Sequence, residues 1–152
     1  MKNLIFICLN LILFSCNKET KENQVNVDTL NWIILKNIAG DNLLDPNVQN
    51  HYVQNEIYVF KLGSDGREII LQNNYVKLTP EKGYIIRMVG YGIDKSSVNQ
   101  ATVYLRLSPS EVDTIKVEYK IDHGNLFTTK LWYNGEVKWT RENDIPIEII
   151  KK

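Results

Sequence analysis

From about residue 30 onward, the chain consists of short runs in which apolar and polar residues alternate. In the segment 114–121, TIKVEYKI, the apolar residues fall on one face of an extended strand and the charged residues on the other. The segment 101–107 has the same pattern, and Pro109 ends it because proline cannot donate to a strand ladder. No window of 11–18 residues has convincing helical periodicity. The pattern predicts strands with one packed and one solvent-facing side.

The same criteria predict about nine short strands, separated by turn residues. Gly63-Ser64-Asp65-Gly66 and Asp122-His123-Gly124-Asn125 are expected to be hairpin loops, and Pro146 indicates an edge strand. Residues 39–55 form a long connection with room for a helical turn. We predict one all-β domain over 29–152, an antiparallel β-sandwich, with a small β-barrel as the alternative. The expected strands are 32–37, 57–62, 67–71, 84–89, 101–107, 114–121, 126–133, 136–140 and 145–150.

The strongest local signal is Asn134-Gly135 between two apolar runs, since a type I′ hairpin turn needs positive φ at both central residues. With this turn, Tyr133 pairs with Glu136 and the two strands run antiparallel. We expect one face to enter the core because its two indole rings can bury the most area; it consists of Trp132, Val137 and Trp139. The opposite face, together with the outer side of the strand 101–107, becomes a candidate binding surface of Tyr133, Tyr104, Leu131 and Phe127.

The N-terminal residues are predicted to be a leader. Lys2 precedes an apolar run, Leu4 to Phe14, which is too short to span a bilayer and fits the h-region of a signal peptide. The run Leu13-Phe14-Ser15-Cys16 resembles a bacterial lipobox. That resemblance implies removal of 1–15 and attachment of diacylglycerol to Cys16. Residues 16–28 would then be the lipidated cysteine and a polar, flexible tether with a reach of about 20 Å.

Composition narrows the function classes. The 152 residues carry 18 basic and 18 acidic side chains, so we predict no nucleic-acid partner. Hydrophobic residues make up 43%, which is typical of a globular domain. The two cysteines are Cys8, inside the predicted leader, and Cys16. The mature chain is therefore expected to fold on its hydrophobic core, without disulfides or cofactors.

No sequence motif assigns catalysis. The chain lacks G-x-S-x-G, H-E-x-x-H, P-loop and G-x-G-x-x-G patterns, and His51 and His123 both fall in predicted loops. Glu111 and Asp113 lie on either side of Val112, just before a predicted strand, so their carboxyl groups can lie on the same face, as the two catalytic acids of a glycosidase must. We expect ordinary loop acids there and name no catalytic residue.

A loop offers weak candidates for a metal site. Asp41, Asp45 and Asn47 are spaced four and two residues apart, and oxygen ligands at short spacing can bind Ca²⁺. The spacing misses the EF-hand pattern. Asp45-Pro46 also favours a turn, which is the interpretation we prefer, so no metal is predicted.

Several segments resemble a family of small uncharacterised secreted lipoproteins of Bacteroidetes-type bacteria. The segments are the lipobox ending at Cys16, GDNLLDP at 40–46, DTIKVEY at 113–119, WYNG at 132–135 and IEIIK at 147–151. The resemblance implies secretion and an all-β domain, and it implies no activity.

Three functions remain open from the sequence. The first is a lipid-anchored domain of the bacterial cell envelope, at the outer membrane on its periplasmic or surface side, that binds a protein or glycan or has a structural role. The second is a small envelope hydrolase acting on polysaccharide or peptidoglycan. The third is a barrel with an internal pocket for a small apolar ligand.

Mass spectrometry of the mature protein tests the anchor. We expect an N-terminal peptide that begins at Cys16 and carries the added mass of a diacylglyceryl group, since stable anchoring requires two or more acyl chains. Peptides from the rest of the chain serve as unmodified controls. An unmodified thiol at residue 16 contradicts the prediction.

Overall fold

The described part of the chain consists of β-strands joined by turns. The computed structural model describes residues 27–28, 31–72, 74–89, 99–123, 125–143 and 146–152, so the predicted leader, Cys16 and most of the tether lie outside these ranges. The strands are β1 (Val27–Asp28), β2 (Asn31–Lys36), β3 (Tyr58–Leu62), β4 (Glu68–Ile70), β5 (Tyr75–Thr79), β6 (Gly83–Met88), β7 (Gln100–Ser108), β8 (Glu111–Asp122), β9 (Asn125–Tyr133), β10 (Glu136–Thr140) and β11 (Ile147–Ile150).

These strands form two sheets. The larger has the order β1-β9-β8-β7-β3-β4, with β10 also paired to β9, and the smaller has the order β11-β2-β6-β5. Pairs are antiparallel except β1 with β9 and β11 with β2. The sandwich prediction is confirmed. The barrel alternative, and with it the internal ligand pocket, is wrong because the two sheets are not joined into a closed ring.

All nine predicted strands are present, with ends shifted by a few residues at most. The edge position predicted from Pro146 is confirmed, since β11 closes one side of the smaller sheet. Two strands were not predicted, the two-residue β1 and the edge strand β5. In β5, burial does not follow the alternation, since Val76 packs against the core while Leu78, on the same side of the strand, is 59% exposed.

The core lies between the sheets and is aliphatic. Fully burying one such side chain stabilises the fold by about 1.5–3 kcal/mol. The long 37–57 connection contributes Leu43 and Leu44 to this core and ends in a 3-10 turn, Gln54–Glu56. Within the described ranges, no helix is long and apolar enough to cross a bilayer. Core side chains with no more than 1% exposure include Ile33, Leu35, Leu44, Val59, Ile86, Met88, Val103, Leu105, Leu107, Ile115, Val117 and Leu131.

A β-bulge in β10 overturns the predicted faces of the last hairpin. Asn134 and Gly135 have φ of 48° and 84°, and Glu136 pairs with Tyr133, as predicted. After Val137 the register shifts by one residue, so that Trp139 pairs with Leu131. The predicted assignment of Trp132 and Val137 to the core is therefore wrong, and only Trp139 of that set is buried.

A second irregularity separates the residues of the predicted binding surface. Between Glu118 and Tyr119 the pairing with β9 shifts, which places Thr128 on the core side and Phe127 on the outer side. Leu131 is fully buried and Tyr133 is 3% exposed. Neither contributes to an exposed surface, contrary to prediction, because their β9 positions face the smaller sheet.

Two truncations test this assignment of faces. Leu131→Ala is expected to lower the free energy of unfolding by about 2–5 kcal/mol, because it leaves a cavity in a packed core. Val137→Ala, on the same hairpin but 48% exposed, is expected to change it by about 0.5 kcal/mol or less. Chemical denaturation of both variants measures the difference. Equal losses would contradict the assignment.

Candidate functional site

The outer face of the larger sheet carries a group of aromatic rings on β3 and β7. Phe60 and Tyr104 are register partners, and their rings stack with centres 5.3 Å apart and planes inclined by 24°. The Tyr58 ring centre lies 5.9 Å from that of Phe60. Phe60 is 4% exposed although it lies outside the core cluster, so its neighbours on the outer face cover it.

Arg106 is tied into this aromatic group. Its guanidinium carbon lies 5.5 Å from the Phe60 ring centre and 5.6 Å from that of Tyr58. Its Nη2 donates to Glu68 Oε1 at 2.5 Å, and the Tyr58 hydroxyl donates to Glu68 Oε2 at 3.1 Å. Because Glu68 offsets the charge of Arg106, this end of the face is held by internal contacts.

Trp132 has two cationic neighbours. Lys116 is its direct partner on β8 and Lys130 precedes it by two residues, so all three side chains point outward. The Nζ atoms lie 5.3 Å (Lys116) and 4.9 Å (Lys130) from the ring centre. Such contacts contribute about 0.5–1 kcal/mol each at exposed sites. Among the described residues, neither ammonium group has a carboxylate within 4 Å.

We call this surface the aromatic–cationic face, defined by Tyr58, Phe60, Tyr104, Arg106, Lys116, Lys130 and Trp132. Tyr104, predicted to be outward, belongs to it and is partly exposed. Phe127 is also outward, beyond this group, with the Arg141 guanidinium carbon 4.6 Å from its ring centre. Trp132 was predicted to be buried, and the sequence interpretation did not name the other members of the face, which are Tyr58, Phe60, Arg106, Lys116 and Lys130.

A second group of polar side chains closes one end of the sandwich. Glu111 and Asp113 share the inward side of β8, as their spacing allows. The Lys151 Nζ lies 2.6 Å from Glu111 Oε1 and 2.6 Å from Asp113 Oδ2. The Tyr52 hydroxyl donates to both Glu111 oxygens, at 3.1 and 3.0 Å, and the Tyr133 hydroxyl donates to Asp113. Lys151 follows β11, so the group connects the two sheets.

The hairpin turn docks onto the same group. Asn134 Nδ2 donates to Asp113 Oδ1 at 2.6 Å, and Asn134 Oδ1 accepts from the Thr114 backbone N–H at 2.8 Å. The positive φ of Asn134 allows the type I′ turn, and in this turn the side-chain amide of Asn134 points toward β8. Asp113 receives three side-chain donors in all, from Asn134, Tyr133 and Lys151.

The surroundings of these side chains favour the charged forms of Asp113 and Lys151. Burial opposes ionisation of Asp113, but the hydrogen bonds from Asn134, Lys151 and Tyr133 outweigh it and hold the pKa of the carboxyl below its usual value. Burial likewise disfavours a charged Lys151, whereas its bonds to Asp113 and Glu111 raise its pKa. Burial, and then the adjacent carboxylates, raise the pKa of Tyr52 and Tyr133.

Beside this group lies a cleft of about 300 Å³. It is bordered by Glu111, Tyr133, Asn134, Glu136, Lys138, Lys151 and Lys152, among others. A glycosidase needs one carboxylic acid that is protonated at working pH. Asp113 has a lowered pKa, and Lys151 lies between the two carboxylates, so the geometry favours a structural ion network over acid–base catalysis.

The structure places the weak metal candidates in separate turns. Asp41 Oδ2 accepts from Asn37 Nδ2 at 2.9 Å, and Asp45 Oδ1 accepts from the Asn47 backbone and side-chain nitrogens, each at 2.9 Å. Asp41 and Asp45 thus stabilise different turns. In the described ranges, no group of three or more His, Cys, Asp or Glu side chains is arranged to hold a metal ion.

Comparison with protein-family models, with curated proteins and with solved structures finds no match to this chain.

Asp113→Asn tests the ion network. We expect the variant to lose about 1–3 kcal/mol of unfolding free energy at pH 7, because the partly buried Lys151 ammonium loses one of its two carboxylate partners. An aspartate whose folded-state pKa lies below about 3.9 stabilises the fold above roughly pH 4, and this contribution is lost as pH falls through the lowered value.

The difference between wild type and Asp113→Asn is therefore expected to shrink below about pH 4, as measured by denaturation at pH 3–7. Asp122→Asn, at an exposed aspartate paired with His123, is the matched control and is expected to be nearly neutral. A difference that does not change with pH would argue against an ionised Asp113.

Proposed function

We propose that this chain is a non-catalytic binding module of the bacterial cell envelope, anchored through a lipid on Cys16, whose ligand surface is the aromatic–cationic face. The anchor carries the proposal of location, since the lipobox-like run and the tether predict it. The outer face carries the proposal of binding. It is the broad, partly exposed side of the larger sheet, opposite the core.

The observation that carries the binding role is the environment of Trp132. An indole flanked by two lysines, neither paired with a described carboxylate, combines an apolar ring with available positive charge. Aromatic side chains are frequent at binding surfaces because one large, stiff group supplies both apolar area and polar edges. Val137, the register partner of Trp132, is 48% exposed, and Val112, the register partner of Arg106, is 41% exposed, so both extend the apolar area of the face.

The polar cleft supports binding over hydrolysis. Glu111, which borders the cleft, is bound to Lys151 and Tyr52, and the adjacent Asp113 is bound to Lys151, Tyr133 and Asn134. A hydrolase acting on polysaccharide or peptidoglycan is the alternative, and it would have to release Asp113 or Glu111 from these partners before either could act.

Trp132→Ala tests the proposed surface in the full-length protein, purified in detergent. We expect binding to an envelope glycan or protein to weaken about tenfold, which corresponds to about 1.4 kcal/mol. A glycan array and photo-crosslinking to envelope extracts measure it, and thermal unfolding confirms that the variant is folded. Ile38→Ala, at a 79% exposed residue in the 37–57 connection, is the control.

Equal binding by Trp132→Ala and Ile38→Ala would contradict the proposed surface. Release of soluble fragments from a polysaccharide or from peptidoglycan, in place of retained binding, would support the hydrolase alternative.

A further inference from the structure

We infer that the aromatic–cationic face recognises an anionic polysaccharide, one whose sugar rings carry carboxylate or sulfate groups. This inference rests on the proposed function and specifies its ligand. The argument has three parts, which are the availability of the lysines, the spacing of the rings and the balance of charge on the face.

The first part concerns Lys116 and Lys130. Lys36, Lys138 and Lys151 each contact a carboxylate at 2.6–2.7 Å. Within the described ranges, Lys116 and Lys130 have the Trp132 ring beside them and no carboxylate within 4 Å, although Glu118 is the direct register partner of Lys130. The Glu118 carboxylate instead accepts from Thr129 at 3.3 Å and from Gln100 at 3.4 Å. Both ammonium groups can therefore pair with a ligand anion without breaking an ion pair.

The second part concerns ring spacing. Tyr104 lies on β7 opposite Thr114, and Trp132 lies on β9 opposite Lys116. The two residues are thus two strand spacings apart across the sheet and two residue positions apart along it. Sheet geometry puts their backbones about 12 Å apart. The separation suits an extended chain of several sugar units, with sugar rings against Tyr104 and Trp132 and acid groups beside the lysines.

The third part concerns charge. Arg106 is offset by Glu68, and Glu118, which points outward beside Lys130, carries one negative charge. Lys116 and Lys130 together therefore leave an excess of one positive charge in the centre of the face. A neutral glycan would leave this charge without a partner, and an acidic one complements it. A sheet surface also fits a flat, extended polymer better than a globular partner, which would need about 800 Å² of matched surface.

Affinity electrophoresis of the full-length protein in detergent tests the inference, with polygalacturonate, hyaluronate or heparin cast into the gel. We expect retardation by at least one of these polyanions and none by neutral dextran. The effect should weaken as salt is raised, because screening weakens exposed charge pairs.

The double variant Lys116→Gln with Lys130→Gln is expected to bind at least about tenfold more weakly. The matched control, Lys77→Gln with Lys82→Gln, removes the same charge from exposed positions on and beside β5 in the smaller sheet and is expected to bind like wild type. If both double variants lose the same affinity, attraction is non-specific and the inference is overturned.

Other outcomes separate this inference from the proposed function. In one outcome, the protein binds dextran, another neutral glycan or an envelope protein in a Trp132-dependent way, and none of the three polyanions retards it. The face then binds a ligand, but the inferred chemistry is wrong. If vesicles containing phosphatidylglycerol are retained and the polyanions are not, the face contacts the membrane surface and the inference also fails. If Trp132→Ala changes no interaction, the proposed function fails with it.

Discussion

Side chains along a strand point alternately to opposite faces, and one unpaired residue is enough to exchange the two faces. This constraint governs the last hairpin of the domain. The register shift after Val137 sends Trp139 into the core beside Leu131, while Trp132 stays outside beside Lys116. The shift at Tyr119 separates Phe127 from Leu131 in the same way. Both the core and the candidate binding face depend on these two irregularities.

The regular parts of the fold could be predicted from the sequence and the irregular parts could not. Alternation predicted nine strands, and Asn134-Gly135 predicted the turn, because each signal is local. The two bulges carry no glycine or proline to mark them, so strict alternation grouped Trp132 with Trp139, and the large area of the two indole rings then placed both in the core. The spacing of Glu111 and Asp113 correctly suggested a shared face. Their main partners, Tyr52 and Lys151, lie 59 and 38 residues away, and only the folded topology brings them together.

The molecule uses charge in two different ways. At the end of the core, both carboxylate oxygens of Asp113 accept hydrogen bonds and Lys151 contacts two carboxylates, so these charges hold β11 against β8. A partly buried network of this kind resists rearrangement, since removing one member leaves another unpaired. On the outer face, Lys116 and Lys130 lie against a ring, and no acid of the described part of the chain is within 4 Å of either ammonium group. The first arrangement is suited to stability and the second to an exchangeable ligand.

The parallel pairing of β1 with β9 bears on how the domain would respond to mechanical load. Val27 pairs with Leu126 and Asp28 with Phe127, so the N-terminal end of β1 lies beside the start of β9. A force applied through the N-terminus acts along the axis of β1, and the hydrogen bonds of this pair are loaded together in shear. Two register pairs hold β1 to β9, whereas many more hold β9 to β8. We therefore expect β1 to be the first strand to detach under tension. Its release lengthens the extended N-terminal segment by roughly 7 Å before the two sheets of the sandwich separate.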